Sequence, residues 1–212
     1  MNKGKLICFM GVDGSGKTTL SNLFIHKMQE NEIEFNYIWC KFGSYNQLLR
    51  NLLTKMSFLI IKKNRKTSDF PGKKEIKQNG FSRVYLYFIL ILHYLDILVK
   101  VKVPIVLGKN VACDRYLTDT IVDLALEFNY SYNDAIKLVN SLYFTPKPDI
   151  LFYISIPVNL AYERKKENSI DYLKRKEEIY NKYSREHQVV KLDGTKKLDE
   201  LVSEVQDYFM NR

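Results

Sequence analysis

Short apolar runs alternate along this chain with longer segments in which apolar residues recur every three or four positions. Short apolar runs bounded by turn residues are typical of buried strands, and the longer periodic segments of amphipathic helices. The pattern predicts five strands, at residues 5–10, 34–39, 110–113, 149–156 and 188–192. Because helices separate the strands, we expect an α/β fold whose parallel sheet is covered on both faces.

The same pattern predicts helices at residues 18–30, 46–61, 83–100, 117–128, 132–142, 158–166, 172–184 and 198–209. Residues 62–78 are polar and basic and contain Pro71-Gly72, which predicts a flexible loop. Neither a repeat nor a linker interrupts the pattern. We therefore expect residues 1–212 to form a single domain.

The most apolar segment is residues 84–99, which Arg83 and Lys100 flank. A membrane-spanning helix needs about 20 apolar residues with few or no charges. This segment is shorter and contains His93 and Asp96. We predict a buried core helix, with a membrane-associated segment as the alternative.

Candidate chemistry begins directly after the first strand, where residues 11–18 fit the phosphate-binding pattern Gly-x-x-x-x-Gly-Lys-Thr. Glycines at 11, 14 and 16 permit backbone angles that turn successive N–H groups towards an anion. Lys17 can reach the β- and γ-phosphates of a nucleotide, and the Thr18 hydroxyl can ligate Mg²⁺. The predicted strand before this loop and helix after it match the context that a P-loop requires. The alternative is a glycine-rich turn that binds nothing.

The chain is basic, with 33 Lys and Arg residues against 24 Asp and Glu, a formal net charge of +9. Such a charge suits an anionic ligand, but it also suits nucleic acid or an acidic membrane surface. Zinc-ligand spacing and an aromatic RNA-binding signature are both missing from the sequence, so we expect no specific nucleic-acid partner. Cys8, Cys40 and Cys113 have neither metal nor redox spacing, and no secretory signal begins the sequence. We expect buried, reduced thiols and a cytoplasmic protein.

Four motifs together resemble those of the thymidylate kinases, in the same order and with similar spacing. They are the P-loop at 11–19, Gly-Lys-Asn-Val-Ala-Cys-Asp-Arg-Tyr at 108–116, the Pro-Asp…Leu-Ala-x-x-Arg segment at 148–164, and Asp-Gly-Thr at 193–195. The resemblance implies a three-layer P-loop kinase fold with a five-stranded parallel sheet and a short lid at about 164–171. It also implies ATP with Mg²⁺ as the phosphoryl donor.

Residue roles follow from the resemblance position by position. ATP phosphates and Mg²⁺ would be bound by Gly11, Asp13, Gly14, Ser15, Gly16, Lys17, Thr18 and Thr19. Asp13 would also face the acceptor sugar, Thr18 and Asp114 would hold Mg²⁺, and Gly194 and Thr195 would lie beside the adenine. The implied catalytic residues are Lys17, Asp114, Arg115 and Arg164. Arg115 would bridge donor and acceptor phosphates, and Arg164 would begin the lid.

Each of these roles has a plainer alternative. Asp114 and Arg115 can be a local ion pair at a strand end. The basic residues 164–166 can be a solvated helix face. Asp13 can be an ordinary turn residue.

The acceptor half departs from the family pattern. The usual Arg-Glu-Pro-Gly stretch is replaced by Cys-Lys-Phe-Gly at 40–43, and the arginine that grips the monophosphate falls at about His93. Candidate acceptor-binding residues are Asp13, Lys41, Phe42, Gly43, His93, Arg115, Tyr116 and Asp119. Asp119 and Asp123 suit a hydroxyl-bearing or cationic acceptor better than a phosphate monoester, unless they form a solvated helix face. Tyr116 and other aromatic residues can stack on a base or belong to the core.

The hypothesis that these residues favour is an ATP-dependent kinase of nucleoside monophosphates, with dTMP as the acceptor. The alternatives are a related kinase for another nucleotide, a nucleoside or a sugar or polyol, and a P-loop switch protein. The switch protein is disfavoured because a guanine-reading Asn-Lys-x-Asp motif is missing and because Asp114 is followed by Arg115 rather than by a carboxylate. The resemblance implies a homodimer, and a monomer fits the sequence equally well.

Overall fold

The computed structural model describes residues 3–42, 80–141 and 145–211. Gly43, the predicted helix at 46–61 and the predicted loop at 62–78 lie outside the described residues. All five predicted strands form, with bounds that differ from the prediction by at most two residues. They are Leu6–Met10 (β1), Phe35–Trp39 (β2), Asn110–Asp114 (β3), Ile150–Ser155 (β4) and Val190–Asp193 (β5).

The strands form one parallel sheet in the order β2-β3-β1-β4-β5. Strand β1 is central, and its Cys8 is in register with Cys113 of β3 and Leu151 of β4. The sheet therefore extends to both sides of β1, with β3 and β2 on one side and β4 and β5 on the other. In open α/β sheets, ligands bind in the crevice at such a point, beyond the carboxyl ends of the strands.

Helices cover both faces of the sheet. They are Lys17–Glu30 (α1), Gly80–Ile97 (α2), Val103–Val106 (α3), Leu117–Glu127 (α4), Tyr132–Asn140 (α5), Val158–Arg164 (α6), Ile170–Glu186 (α7) and Leu198–Met210 (α8). On one face, the rings of Phe24 of α1, Phe209 of α8 and Phe35 of β2 pack against one another, with centroids 5.2 to 6.1 Å apart. On the other face, Cys8 and Tyr153 of the sheet share a core with Tyr180 of α7. This arrangement confirms the predicted three-layer α/β fold.

Two helices extend beyond their predicted bounds for identifiable reasons. Helix α7 begins at Ile170 because Ser169 caps it, its side chain accepting a hydrogen bond from the Tyr172 N–H at 3.3 Å. Helix α2 continues through a π-helical turn, Leu98–Lys102, into α3. Pro104 lies where the π-helical turn passes into α3.

The prediction of a buried core helix is only partly met by α2. Leu86, Leu90 and Ile97 are buried, whereas Ile91 and Leu95 on the opposite side are about half exposed. Within the described residues, Arg83–Val106 is the single helical run that is long and apolar enough to cross a membrane. One such run is weak evidence for a membrane span, because core helices of soluble proteins meet the same criterion.

The three cysteines are free and buried, as predicted. Burial raises the pKa of the Cys8 thiol, which keeps it protonated. These side chains act as small apolar residues of the core.

Candidate active site

The loop after β1 has the backbone that phosphate binding requires. Gly14 and Gly16 adopt φ values of 87° and 91°, in the region that favours glycine. A Cβ atom on Gly14 would lie 2.3 Å from the carbonyl oxygen of Ala161, so the loop packs directly on α6. Helix α1 begins at Lys17 and directs its free N–H groups at the same space.

Lys17 is buried, and its ammonium group binds the loop itself. Its Nζ atom donates to the carbonyl oxygens of Gly11 and Val12, both at 2.8 Å. Burial lowers the pKa of Lys17 to about 8. A phosphate beside this ammonium would favour its charged form, so ligand binding and protonation of Lys17 are coupled.

Thr18 and Asp114 meet at the carboxyl ends of β1 and β3. The Thr18 hydroxyl donates to Oδ2 of Asp114, and the Tyr37 hydroxyl donates to the same oxygen at 3.2 Å. The other oxygen, Oδ1, is buried and accepts no hydrogen bond from the residues that the structure describes. A hydroxyl and an unsatisfied carboxylate oxygen fit the preference of Mg²⁺ for hard oxygen ligands.

No group of three or more His, Cys, Asp or Glu residues within the described ranges could hold a metal ion by itself. Mg²⁺ does not require one, because it commonly binds one or two carboxylates together with substrate phosphates. Thr18 and Asp114 therefore fit Mg²⁺ delivered with a nucleotide.

A cleft of about 860 Å³ opens beside the P-loop, and positive side chains dominate its wall. The residues that line it are Asp13, Gly14, Gly16, Lys17, Thr18, Thr19, Tyr37, Trp39, Lys41, Arg115, Arg164, Lys165, Glu167, Asn168 and Lys176. Six of these are Lys or Arg, and they come from α1, α6, α7, the segment after β2, the segment after β3 and the lid. Only Asp13 and Glu167 among these lining residues are acidic. The surplus of positive charge favours a polyanionic ligand.

Arg115 is held in an unusual conformation by two carboxylates. Its φ angle is 69°, which a residue with a side chain rarely adopts and which costs roughly 1–3 kcal/mol. The guanidinium donates to Asp13 Oδ1, and to Asp119 Oδ1 at 2.9 Å. The alternative of a local ion pair between Arg115 and Asp114 is therefore wrong, because Arg115 pairs with other acids.

Asp13 is a central charge of the site rather than an ordinary turn residue. Its Oδ2 atom accepts from Lys176 Nζ at 3.0 Å and from Asn168 Nδ2 at 3.1 Å, in addition to the Arg115 contact on Oδ1. Burial by itself would raise the pKa of Asp13, but Lys176 and Arg115 outweigh it and hold that pKa well below the usual range. Asp13 is thus ionised at neutral pH.

Asp119 and Asp123 point inwards, which corrects the alternative of a solvated helix face. They are 1% and 4% exposed. Oδ1 of Asp119 accepts from Arg115 and also from the Tyr180 hydroxyl at 2.8 Å, and Asp123 Oδ1 lies 4.0 Å from Lys176 Nζ. Neither acid is among the residues that line the cleft. The structure therefore does not support the expectation that Asp119 and Asp123 favour a hydroxyl-bearing or cationic acceptor.

His93 lies in the core behind the cleft. It is 2% exposed, its ring packs edge-on against Phe42, and its Nε2 atom is 3.1 Å from the Thr120 hydroxyl. Burial lowers the pKa of His93 to about 4. A neutral, enclosed imidazole cannot provide the positive charge of an arginine at this position.

Phe42 and Tyr116, two further acceptor candidates, are also packed away from the cleft. Phe42 contacts the rings of His93 and Phe128, and Tyr116 is buried with its hydroxyl donating to the Pro146 carbonyl at 2.8 Å. Of the residues predicted to bind the acceptor, Asp13, Lys41 and Arg115 line the cleft. Gly43 lies outside the described residues.

A second cavity, of about 360 Å³, adjoins the other side of the P-loop. Arg164, Gly16 and Thr19 line both cavities. Gly194 lies in its wall, where a Cβ atom would be 2.4 Å from a methyl group of Ile156. Thr195 is not among the residues that line this cavity, and its hydroxyl donates to Asp193 at 2.7 Å. Lys196 lines the cavity. The cavity offers a narrow space next to the phosphate loop.

The lid is a short segment between α6 and α7, and it contacts the P-loop. Arg164, at the end of α6, is exposed and lines the cleft, so the basic residues that begin the lid are more than a solvated helix face. Asn168 of the lid donates to Asp13 at 3.1 Å. Asn168 of the lid and Arg115 therefore bind the same carboxylate, that of Asp13.

Lys176, Asn168 and Tyr37 are site residues that sequence reasoning missed. Lys176 lies in the run Lys-Arg-Lys at 174–176, which is typical of a solvated helix face. The one available signal is spacing, because Lys176 lies four residues after Tyr172 and four before Tyr180, on the buried side of α7.

Comparison with known proteins gives a consistent result. No protein-family model matches the chain. A thymidylate kinase from Plasmodium falciparum is 23% identical over 208 residues, covering 96% of this chain and 88% of that protein. A probable thymidylate kinase from Methanocaldococcus jannaschii is 27% identical over 97% of this chain and 95% of its own length. Probable thymidylate kinase 1 from Saccharolobus solfataricus is 28% identical, with 94% of both chains covered.

These matches extend over nearly the whole chain, and they agree with the sheet order, the phosphate loop and the motifs after β3 and β5. Over nearly its whole length the chain is therefore similar to proteins named thymidylate kinase, at 22–28% identity.

Proposed function

We propose that the protein is an ATP- and Mg²⁺-dependent kinase that converts a nucleoside monophosphate, dTMP, into the diphosphate. The observation that carries the proposal is the cleft beside the P-loop, whose wall combines six Lys and Arg side chains with two carboxylates. The names of the relatives, thymidylate kinase in each case, support dTMP as the acceptor.

The charge of the cleft favours a phosphate monoester as the acceptor. Such a group carries between one and two negative charges at pH 7, since its second pKa is about 6. Lys41 and Arg115 line the cleft, whereas Asp119 and Asp123, which lie beside Arg115 and Lys176, do not line it. A neutral sugar or a cationic acceptor would match this surplus of positive charge less well.

The donor side would hold ATP. The P-loop amides and Lys17 would bind its phosphates, and the cavity beside Gly194 would take the adenine ring. Thr18 and Asp114 would hold Mg²⁺, which when bound neutralises charge on the β- and γ-phosphate oxygens. Arg164 lines both cavities and would contact the phosphates from the lid side.

The transfer itself needs positioning more than covalent chemistry from the protein. An oxygen of the acceptor phosphate forms a bond to the γ-phosphorus while the bond from that phosphorus to the bridging oxygen breaks, and ADP leaves. Arg115 would lie between the two sets of phosphates, and Lys17 would stay with the transferred group. The lid, held to Asp13 by Asn168, would exclude the water that competes as an acceptor.

A second candidate is a kinase of the same family that phosphorylates another nucleotide, a nucleoside, or a sugar or polyol. The observation that favours it is the altered acceptor half, in which His93 is buried and neutral where an arginine is expected. Tyr37 and the half-exposed Trp39 line the cleft and would stack on a flat base, which favours nucleotides within this set.

The two candidates are separated by a coupled assay of ADP formation with ATP, Mg²⁺ and one acceptor at a time. The acceptors are dTMP, dUMP, the other nucleoside monophosphates, thymidine and simple sugars and polyols. We expect turnover with dTMP at an ordinary enzyme rate, on the order of 1 s⁻¹ or more. Turnover with another acceptor and none with dTMP would favour the second candidate and contradict the first.

A further inference from the structure

Lys176 of α7 is a buried cation whose side chain lines the cleft. It is 2% exposed, and its Nζ atom donates to Asp13 Oδ2 at 3.0 Å. The same atom lies 4.0 Å from Asp123 Oδ1 and 5.4 Å from the centre of the Tyr172 ring. Despite the burial that opposes its charge, Lys176 has a raised pKa because Asp123 and Asp13 lie beside it. Lys176 is therefore a charged group.

The charges around Lys176 form one connected set. Asp13, Asp119 and Asp123 provide three carboxylates, and Arg115 and Lys176 provide two cations. If Lys176 were neutral, Arg115 would be the single cation within this set. The wall behind the acceptor would then become more negative by one charge, which opposes the binding of a phosphate.

The two oxygens of Asp13 are divided between the two cations. Arg115 binds Oδ1, and Lys176 binds Oδ2. Without Lys176, Arg115 could take both oxygens in a bidentate pair, the geometry that guanidinium and carboxylate prefer. Such a pair would turn the guanidinium towards Asp13 and away from a ligand in the cleft.

We propose that Lys176 is a positioning residue for the acceptor, because it neutralises Asp13 and Asp123 and so leaves Arg115 available to the acceptor's phosphate. The inference rests on the proposed function, since it concerns the anionic acceptor of that reaction. It assigns to α7 a part in acceptor binding, whereas the motifs of the sequence place acceptor binding on the loops after the strands.

The test compares Lys176→Met with Lys174→Met, which removes an exposed lysine from the same helix two residues earlier. The KM values for dTMP and for ATP and the melting temperature are measured for both variants and for the wild type. We expect Lys176→Met to raise the KM for dTMP about 10- to 100-fold, the loss that corresponds to one charged hydrogen bond. The KM for ATP should change about tenfold less than this, and Lys174→Met should behave as the wild type.

A rescue experiment separates positioning from a merely structural role. Adding Asp123→Asn to Lys176→Met removes one negative charge from the set, and we expect it to recover part of the lost dTMP affinity. A structural role would appear as a melting temperature that falls in Lys176→Met and recovers in the double variant, so positioning requires that the KM for dTMP recovers beyond what the melting temperature explains. If Lys176→Met does not fold, Lys176→Gln replaces it, with an expected rise in the KM for dTMP of about 3- to 10-fold.

The inference is overturned if a folded Lys176 variant keeps the wild-type KM for dTMP, if the KM values for ATP and dTMP rise equally, or if Asp123→Asn deepens the defect. A wild-type protein that turns over no nucleoside monophosphate contradicts the proposed function instead. That result is obtained before any variant is made, so the two failures are distinguishable.

Discussion

Lys17 is the residue on which the proposed phosphate binding depends most directly. Its ammonium group is enclosed by the P-loop and hydrogen-bonded to two of its carbonyl oxygens. The structure thus holds a cation within the loop that the proposed function assigns to phosphate binding. Asp13 and Arg115 extend this arrangement into the cleft, so the site consists of buried charges that constrain one another.

We predict that Lys17→Met lowers kcat by about 10²- to 10³-fold or more, because one preorganised donor to the transferred phosphate is lost. The melting temperature should not fall in proportion, since the variant also removes a buried charge whose desolvation is unfavourable. Lys27→Met is the matched control, because Lys27 is an exposed residue of the same helix. A Lys17→Met protein with wild-type kcat would contradict the assignment of the P-loop.

His93 gives a prediction for pH dependence. Its pKa is about 4 in the folded protein, against about 6.5 in an unfolded chain. Well above pH 6.5 both states are neutral, and the residue adds no pH dependence. As the pH falls from 6.5 towards 4, only the unfolded state gains the proton, so the folded state loses stability, by about 3 kcal/mol at most.

The measurement is urea unfolding of the wild type and of His93→Gln between pH 7 and pH 4. The difference in unfolding free energy should shift in favour of His93→Gln as the pH falls through this window. Parallel curves for the two proteins would show that His93 is not the buried, neutral residue that the structure describes.

At the scale of single elements, the contact between the P-loop and α6 determines the shape of the phosphate site. Gly14 lies directly against the Ala161 carbonyl, whereas Gly16 has a similar φ angle but open space where a Cβ atom would lie. Substitutions at the two glycines thus distinguish the cost of backbone strain from the cost of a steric collision. Strain applies to both positions, and the collision applies to Gly14 alone.

We predict that Gly14→Ala destabilises the protein by about 1–3 kcal/mol more than Gly16→Ala, because the loop must move off α6 to accommodate the methyl group. Equilibrium urea unfolding of both variants, without ligand, measures the difference. Equal losses at the two positions would contradict the close packing of loop and helix.

The elements also show how far the sequence predicts the structure. The strands and the P-loop are determined by local patterns, namely short apolar runs and a glycine-lysine motif, and the sequence predicts both. The contact of Lys176 with Asp13 joins residues 163 positions apart, so no local pattern reveals it. Asp119 and Asp123 have helical spacing that is equally typical of a solvated face. Their burial depends on Arg115 and Lys176, which only the fold brings to them.

At the scale of the whole molecule, the outer side of α2 and α3 is an extended apolar surface. Exposed side chains follow one another at helical spacing at positions 84, 88, 91, 95, 99, 103 and 106. Surfaces of this kind are typical of protein–protein interfaces. The structure describes one chain, so the homodimer expected from the sequence stays a prediction.

We predict that the wild type sediments as a dimer at micromolar concentrations and that Ile91→Glu shifts it towards the monomer, because a charge would be buried in the interface. Analytical ultracentrifugation of both proteins tests this. Met210→Glu is the control, since Met210 is similarly exposed, at 56% against 54%, but lies at the end of α8. A monomeric wild type would rule out this interface.

The cationic cleft beside the P-loop is proposed to bind a nucleoside monophosphate as the phosphoryl acceptor. The most direct test of this proposal is ³¹P NMR of dTMP and ATP with Mg²⁺ and the purified protein, with Lys17→Ala as the blank. We expect the resonances of dTDP and ADP to grow together while those of dTMP and ATP fall, and the blank to stay unchanged. Release of inorganic phosphate without dTDP, or no change at all, would contradict it.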